Sequence, residues 1–95
     1  MQFPVEYTSL TQPERRAIRF KYIEHQGNRC HFCQTPLTGS PAPEVTSKDI
    51  NWDLFPGGEN FLNHPIHLDH DHYSGMTRGA VHAYCNAVLF QYYGQ

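Results

Sequence analysis

Pro65-Ile66-His67-Leu68-Asp69-His70, Tyr73-Ser74-Gly75-Met76, Thr77-Arg78-Gly79-Ala80-Val81 and His82-Ala83-Tyr84-Cys85-Asn86 follow one another almost without interruption in this chain. The first segment reads as a strand, the second, with its Ser-Gly pair, as its turn and the third as a return strand. A final helix is expected from about His82 to Tyr93. Two strands leading into a helix make a small α+β unit, and the remaining sequence is read outward from it.

Upstream, Thr11-Gln12-Pro13-Glu14 opens a predicted helix that runs to about Gln26. A Thr cap with Glu three residues later satisfies free backbone donors reciprocally, and an early Pro costs no needed N–H. Gly27 and Asn28 suit the left-handed residues that end helices. Ala17, Phe20 and Ile23 recur at three-residue steps and are expected to face the core. Arg15, Arg16 and Arg19 gather on another side, either as a solvated face or as a phosphate-binding one. Cys30-His31-Phe32-Cys33 forms a knuckle, and residues 34–65 are an irregular loop insertion rich in Pro and small polar residues. Within it, Asp49-Ile50-Asn51-Trp52-Asp53-Leu54 alternates and predicts one short strand. Trp52, Phe55, Phe61 and Leu62 read as hydrophobic cover over a small core.

Ninety-five residues with no long apolar run describe one small domain spanning residues 1–95, without a membrane span. Met1-Gln2-Phe3-Pro4-Val5-Glu6 lacks a basic lead followed by an apolar core, so a cytoplasmic location is expected. A chain this short buries only roughly 60–65% of its unfolded surface, so an added staple would help it fold. The formal charge is −2, from seven Lys+Arg against nine Asp+Glu, which argues against wholesale electrostatic binding to nucleic acid. The basic residues nevertheless cluster between Arg15 and Arg29, so a basic face can exist on an acidic molecule.

The staple is legible in the cysteines. Three is an odd number, and two of them stand in C-x-x-C spacing, which argues against a closed disulfide set and for thiolate ligation. Cys30 and Cys33 supply one pair. His82 and Cys85, three apart, would project from one side of a helix and supply the other. The predicted ligands are therefore Cys30, Cys33, His82 and Cys85, holding a structural Zn²⁺ with no open position. His31 is the alternative fourth ligand, and a redox role for Cys30 and Cys33 is the competing chemistry.

Asp69-His70-Asp71-His72 places two carboxylates and two imidazoles in four residues. Strand alternation sends Asp69 and Asp71 to one face and His70 and His72 to the other. A hard divalent ion accepts carboxylate and amide oxygens, while a neutral imidazole takes a proton from water, a combination suited to phosphodiester hydrolysis. Asn86 directly follows ligand Cys85, about 100° around the helix, so a zinc-fixed helix could aim its amide at the hairpin. The alternative is a solvent-facing Asn86 and a DHDH run that is simply a polar turn.

Leu68-Asp69-His70-Asp71-His72-Tyr73-Ser74-Gly75, Arg78-Gly79 and Cys85-Asn86, following Cys30-x-x-Cys33, resemble the recombination endonuclease VII branch of the HNH nucleases. The resemblance covers the knuckle and roughly residues 66–90. It implies a ββα-metal (His-Me finger) core over 66–93 within a small zinc-bound α+β domain, carrying an N-terminal helix over 11–26 and the long loop. It further implies that Asp69 and Asn86 hold a catalytic Mg²⁺ or Mn²⁺, that His70 is the general base, and that His72 lies near the scissile phosphate. The activity implied is endonucleolytic hydrolysis of DNA by a single-metal mechanism leaving 5′-phosphate and 3′-hydroxyl ends, in the setting of a phage protein in the bacterial host cytoplasm. Arg78 would contact the phosphate backbone or stabilise the turn, and Arg15, Arg16 and Arg19 are further candidates for DNA contact.

The chain departs from that family where His82 replaces the usual Cys and where Leu89 stands at a position that is Glu in the junction-resolving member. It also ends soon after the ββα unit, without the long helical region through which that member dimerises. Those differences weaken four-way-junction resolution more than nuclease chemistry. A non-catalytic zinc module that binds DNA or protein, with Phe90, Tyr92 and Tyr93 exposed at the end of the helix, is the second reading.

Overall fold

In the computed structural model, residues 3–94 are described, so the leader reading at Met1 and Gln2 lies outside them. Helix α1 spans Gln12–His25, a short α2 spans Pro43–Thr46, strands β1 and β2 span Ile66–His70 and Thr77–His82, and α3 spans Ala83–Tyr93. Two 3-10 turns, Trp52–Leu54 and Gly58–Asn63, occupy the long connection. The result is a small α+β fold around a two-stranded antiparallel sheet. No helix among the described residues is long and apolar enough to cross a membrane.

Helix α1 begins as its residues dictate. Thr11 Oγ1 accepts from the Glu14 N–H at 3.3 Å, and Glu14 Oε1 accepts from the Thr11 N–H at 2.8 Å. It ends at Gly27 and Asn28, both left-handed with φ of 64° and 62°. The face it buries differs from the predicted one. Ile18 and Tyr22 are buried and Ile23 is half-buried, whereas Ala17 and Phe20 face outward, Phe20 at 56% exposure. The reason lies in the partners of Tyr22. Its hydroxyl hydrogen-bonds Thr77 Oγ1 at 2.8 Å and Phe3 stacks on its ring at 4.0 Å, which rotates the stripe one position past Ala17 and Phe20.

Asp49–Leu54 is not a strand. Asn51 Oδ1 accepts from the Asp53 N–H at 3.1 Å, and this side-chain bond to the backbone favours the tight 3-10 turn over an extended ladder. Trp52 and Phe55 then meet Phe61 at ring separations of 6.5 and 4.7 Å, and Phe55 meets Phe90 of α3 at 5.2 Å. The loop insertion thus folds as aromatic cover on α3.

The hairpin register pairs Ile66 with His82 and Leu68 with Ala80, then slips between Asp69 and His70, whose partners are Gly79 and Thr77. Arg78 is the extra residue of that bulge. The turn is built by Asp71, whose carboxylate oxygen accepts from the N–H groups of Tyr73 and Ser74 at 2.7 and 3.1 Å. Asp71 is therefore a turn former and leaves the strand alternation expected for it. Across the far end of β2, the Thr77 N–H donates to Val5 O and the Tyr7 N–H donates to Gly75 O, both at 2.8 Å.

The other part of β2 is covered by α1's exit. Gln26 Nε2 donates to Ala80 O at 3.0 Å, its Oε1 accepts from the Ala80 N–H at 2.8 Å, and the His31 N–H donates to Ala80 O at 3.0 Å. This close approach is why residue 79 is glycine. A Cβ there would sit 2.8 Å from Gln26 Oε1 and 2.9 Å from His31 Cγ. The core beneath comprises Ile18, Tyr22, Leu37, Val45, Leu68, Ala80, Val81 and Val88, together with Cys30 and Cys85.

Candidate metal centre and adjoining cleft

The four predicted metal ligands converge. One ligand atom from each of Cys30, Cys33, His82 and Cys85 lies within 4.8 Å of every other, the only such cluster of His, Cys, Asp and Glu among the described residues. With zinc–sulfur bonds of about 2.3 Å and zinc–nitrogen bonds of about 2.0–2.1 Å, the sulfur–nitrogen edge of a tetrahedron is about 3.6 Å. His82 Nδ1 lies 3.5 Å from Cys33 Sγ and 3.6 Å from Cys85 Sγ. The arrangement fits a zinc-sized ion. His31 is not part of it, since its side chain packs against Gly79 instead.

His82 reaches the cluster from a position other than the one its spacing predicts. It is the last residue of β2 and the N-cap of α3, with extended φ and ψ of −60° and 149°, so it does not share a helical face with Cys85. Its ring is oriented by Nε2, 2.9 Å from Pro36 O. A backbone carbonyl on the outer nitrogen fixes the tautomer that leaves Nδ1 as the ligand atom. The hydrogen bond from Cys85 holds the Cys30 thiol down to about 4, while Cys85 itself is pushed up by the same contact.

Beside this centre, a cleft of about 300 Å³ runs along β1 between α1 and α3. His67, His70, His72 and Asn86 line it, and Arg15 and Arg19 stand on its α1 side. His70 and His72 are brought together, with ring centroids 4.8 Å apart. Burial, and then the neighbouring His72, hold the pKa of His70 below its ordinary value, which keeps the imidazole neutral near physiological pH. Asn86 does turn toward the hairpin, and its Nδ2 donates to His67 Nδ1 at 3.1 Å.

Asp69 stands apart from that group. Its carboxylate is 3% exposed and held in a two-point fork by Arg78, with Nε donating to Oδ2 at 3.0 Å and Nη2 donating to Oδ1 at 2.9 Å. The bulge at Arg78 aims the guanidinium back across the strand pair. Asp69 and Asn86 are thus not presented together as a ready pair of oxygen donors for a hard cation. Arg78 thus ties Asp69 across the strand pair. Of the α1 arginines, Arg16 lies outside the cleft, with its guanidinium carbon 5.9 Å from the Phe20 ring.

Two cleft residues escape the sequence reading. His67 stands three positions before His70, so strand alternation puts the two on opposite faces and gives no sign that both enter one cleft. Tyr7 offers no signal either. Its ring stacks on His70 at 4.0 Å with planes 5° apart, and the Arg15 guanidinium lies 4.2 Å from its centroid. Two groups that close to one ring occupy opposite faces, so Tyr7 is sandwiched between Arg15 and His70.

Compared with protein-family models, with curated proteins and with solved structures, the chain matches none of them, so its own residues carry the functional argument.

Proposed function

We propose that this chain is a small metal-dependent DNA endonuclease of the HNH, ββα-metal type, with a structural zinc at Cys30, Cys33, His82 and Cys85. The observation that carries the reading is the convergence of His70, His72 and Asn86 in one cleft beside the cysteine cluster, with guanidinium groups on its α1 side. Cys85 and Asn86 are adjacent on α3, so an ion that fixes Cys85 also fixes the approach of Asn86 to the hairpin. One ion would organise both sites.

In this reading His70 Nε2 or Nδ1 accepts the proton of the attacking water, and Tyr7 holds the imidazole plane while leaving its in-plane nitrogens accessible. Arg15 and Arg19 hold the phosphodiester against the cleft by charge-assisted hydrogen bonds to the non-bridging oxygens. His72 stands close enough to His70 to hydrogen-bond the same phosphate. A Mg²⁺ or Mn²⁺ ion bound through Asp69 and Asn86 would supply charge stabilisation at the phosphate and the leaving 3′ oxygen. That binding requires Asp69 to share or leave its fork with Arg78. The expected products carry 5′-phosphate and 3′-hydroxyl ends.

The Asp69–Arg78 fork favours a second reading, a non-catalytic zinc module that binds DNA or protein. Incubating the zinc-loaded protein with supercoiled plasmid, with and without added Mg²⁺ or Mn²⁺, separates the two. A nuclease yields nicked or linear DNA, and His70→Ala loses about 10²–10⁴-fold in rate while keeping its zinc. Undiminished cleavage by that variant would sink the role given to His70, and metal-independent inertness of the native protein would leave the binding module.

A further inference from the structure

We propose that a single-stranded DNA segment adjoining the scissile phosphate is held in a second groove on the outer face of α1, with Phe20 as its base-stacking platform. The inference rests on the nuclease reading for what lies in the cleft, but the groove itself is defined independently of it.

The groove has a volume of about 870 Å³, and Gln12, Pro13, Arg16, Arg19, Phe20 and His64 are among the residues that line it. Gln12, Arg19 and His64 also line the histidine cleft, so the two depressions share a wall and a chain leaving one enters the other. No carboxylate among the described residues lines the groove, and Arg16 and Arg19 give it positive charge on a molecule whose formal charge is −2. This local excess of cations is complementary to a phosphate backbone.

Phe20 supplies the second element. It is 56% exposed on a helix whose buried stripe is Ile18 and Tyr22, so the fold does not use its ring for packing. The Arg16 guanidinium rests 5.9 Å from that ring. An exposed aromatic flanked by arginines in a basic groove is the arrangement that stacks an unpaired base and grips its phosphates. Bases inside a duplex are already stacked on one another and cannot use it, so the ligand chemistry selected is single-stranded.

Fluorescence anisotropy on the full chain tests this, using zinc-loaded His70→Ala and, in parallel, the native protein without added divalent cation. The probes are a blunt duplex and the same duplex bearing a short oligothymidine tail. The tail should tighten binding by about tenfold. Phe20→Leu, which keeps an exposed apolar side chain, should erase that gain, Phe20→Trp should keep it, and Arg16→Gln should flatten the salt dependence. Equal affinity for both probes, or a tail gain that survives Phe20→Leu, overturns the groove. Plasmid cleavage scored alongside keeps the two ideas separate. Cleavage without a tail gain removes the groove alone, and a tail gain without cleavage removes the nuclease reading while leaving the groove as a binding site.

Discussion

Stripping the metal from the cysteine cluster should unfold the chain. Zinc binding contributes roughly 10–16 kcal/mol in zinc-finger peptides at neutral pH. A domain of 95 residues has a net stability of about 5–14 kcal/mol at the usual ~0.05–0.15 kcal/mol per residue. The metal term therefore equals or exceeds the whole. The structure explains why so much would be lost. Cys30 and Cys85 have no exposed surface and are core members in their own right, and the cluster joins the knuckle, Pro36, the end of β2 and the start of α3. The assay is titration of zinc-loaded protein with a high-affinity chelator, followed by far-UV circular dichroism and Trp52 fluorescence, with elemental analysis confirming metal loss. Helical signal should collapse in step with zinc release and return on zinc addition, and all three thiols should become reactive. Retention of the native spectrum and melting temperature in protein shown to contain no zinc would refute the reasoning.

Three further outcomes follow from the geometry. Arg78→Ala leaves the buried Asp69 carboxylate without its fork and should cost about 2–4 kcal/mol in urea unfolding, discounted from a fully buried pair because Arg78 is 27% exposed; Asp69→Asn with Arg78→Ala should recover part of the loss. His70 has a pKa below the ordinary 6.5, so the neutral base persists as pH falls past that value; the acid limb of kcat/KM should lie below pH 6.5, and a limb above it would contradict the burial argument. Tyr7→Ala removes the stacked partner of His70 without touching a metal ligand, so cleavage should fall about tenfold or more with zinc content unchanged and Tyr7→Phe close to native.

Readability from the sequence tracked how local each interaction is. The α1 cap was legible because Thr11 and Glu14 bond only each other's backbone, and the left-handed exit because Gly27 and Asn28 carry their own conformational preference. The metal ligands were legible because C-x-x-C and a second spaced pair restrict the possibilities, although the spacing argument put His82 on the helix when it is the cap before it. The buried stripe of α1 was not, because Tyr22 chooses its face by reaching Thr77 and Phe3, which no helical period can foresee. The supposed strand at Asp49–Leu54 failed since alternation there competes with one Asn51 side-chain bond. Within the candidate site, His70, His72 and Asn86 are gathered as the motif spacing leads one to expect, whereas Asp69 is diverted by a partner that a bulge in β2 presents. Tyr7 belongs to a segment far away in the chain, and only the packing of the N-terminus across the turn brings it to His70.

The side-chain amide of Gln26 has a consequence for self-association. A two-stranded hairpin exposes an outer edge on each side, and an open edge is a template for pairing with another molecule. On β2 that template is occupied: Gln26 returns both a donor and an acceptor to Ala80 as a neighbouring strand would, the His31 N–H adds a second donor, and Val5 takes Thr77. Gln26 is thus a surrogate strand one residue long, and Gly79 is the clearance that lets it dock. The sheet is sealed against stacking into ribbons on the β2 side, which leaves the β1 side, where the cleft runs, as the flank at which an extended polymer can lie against this protein.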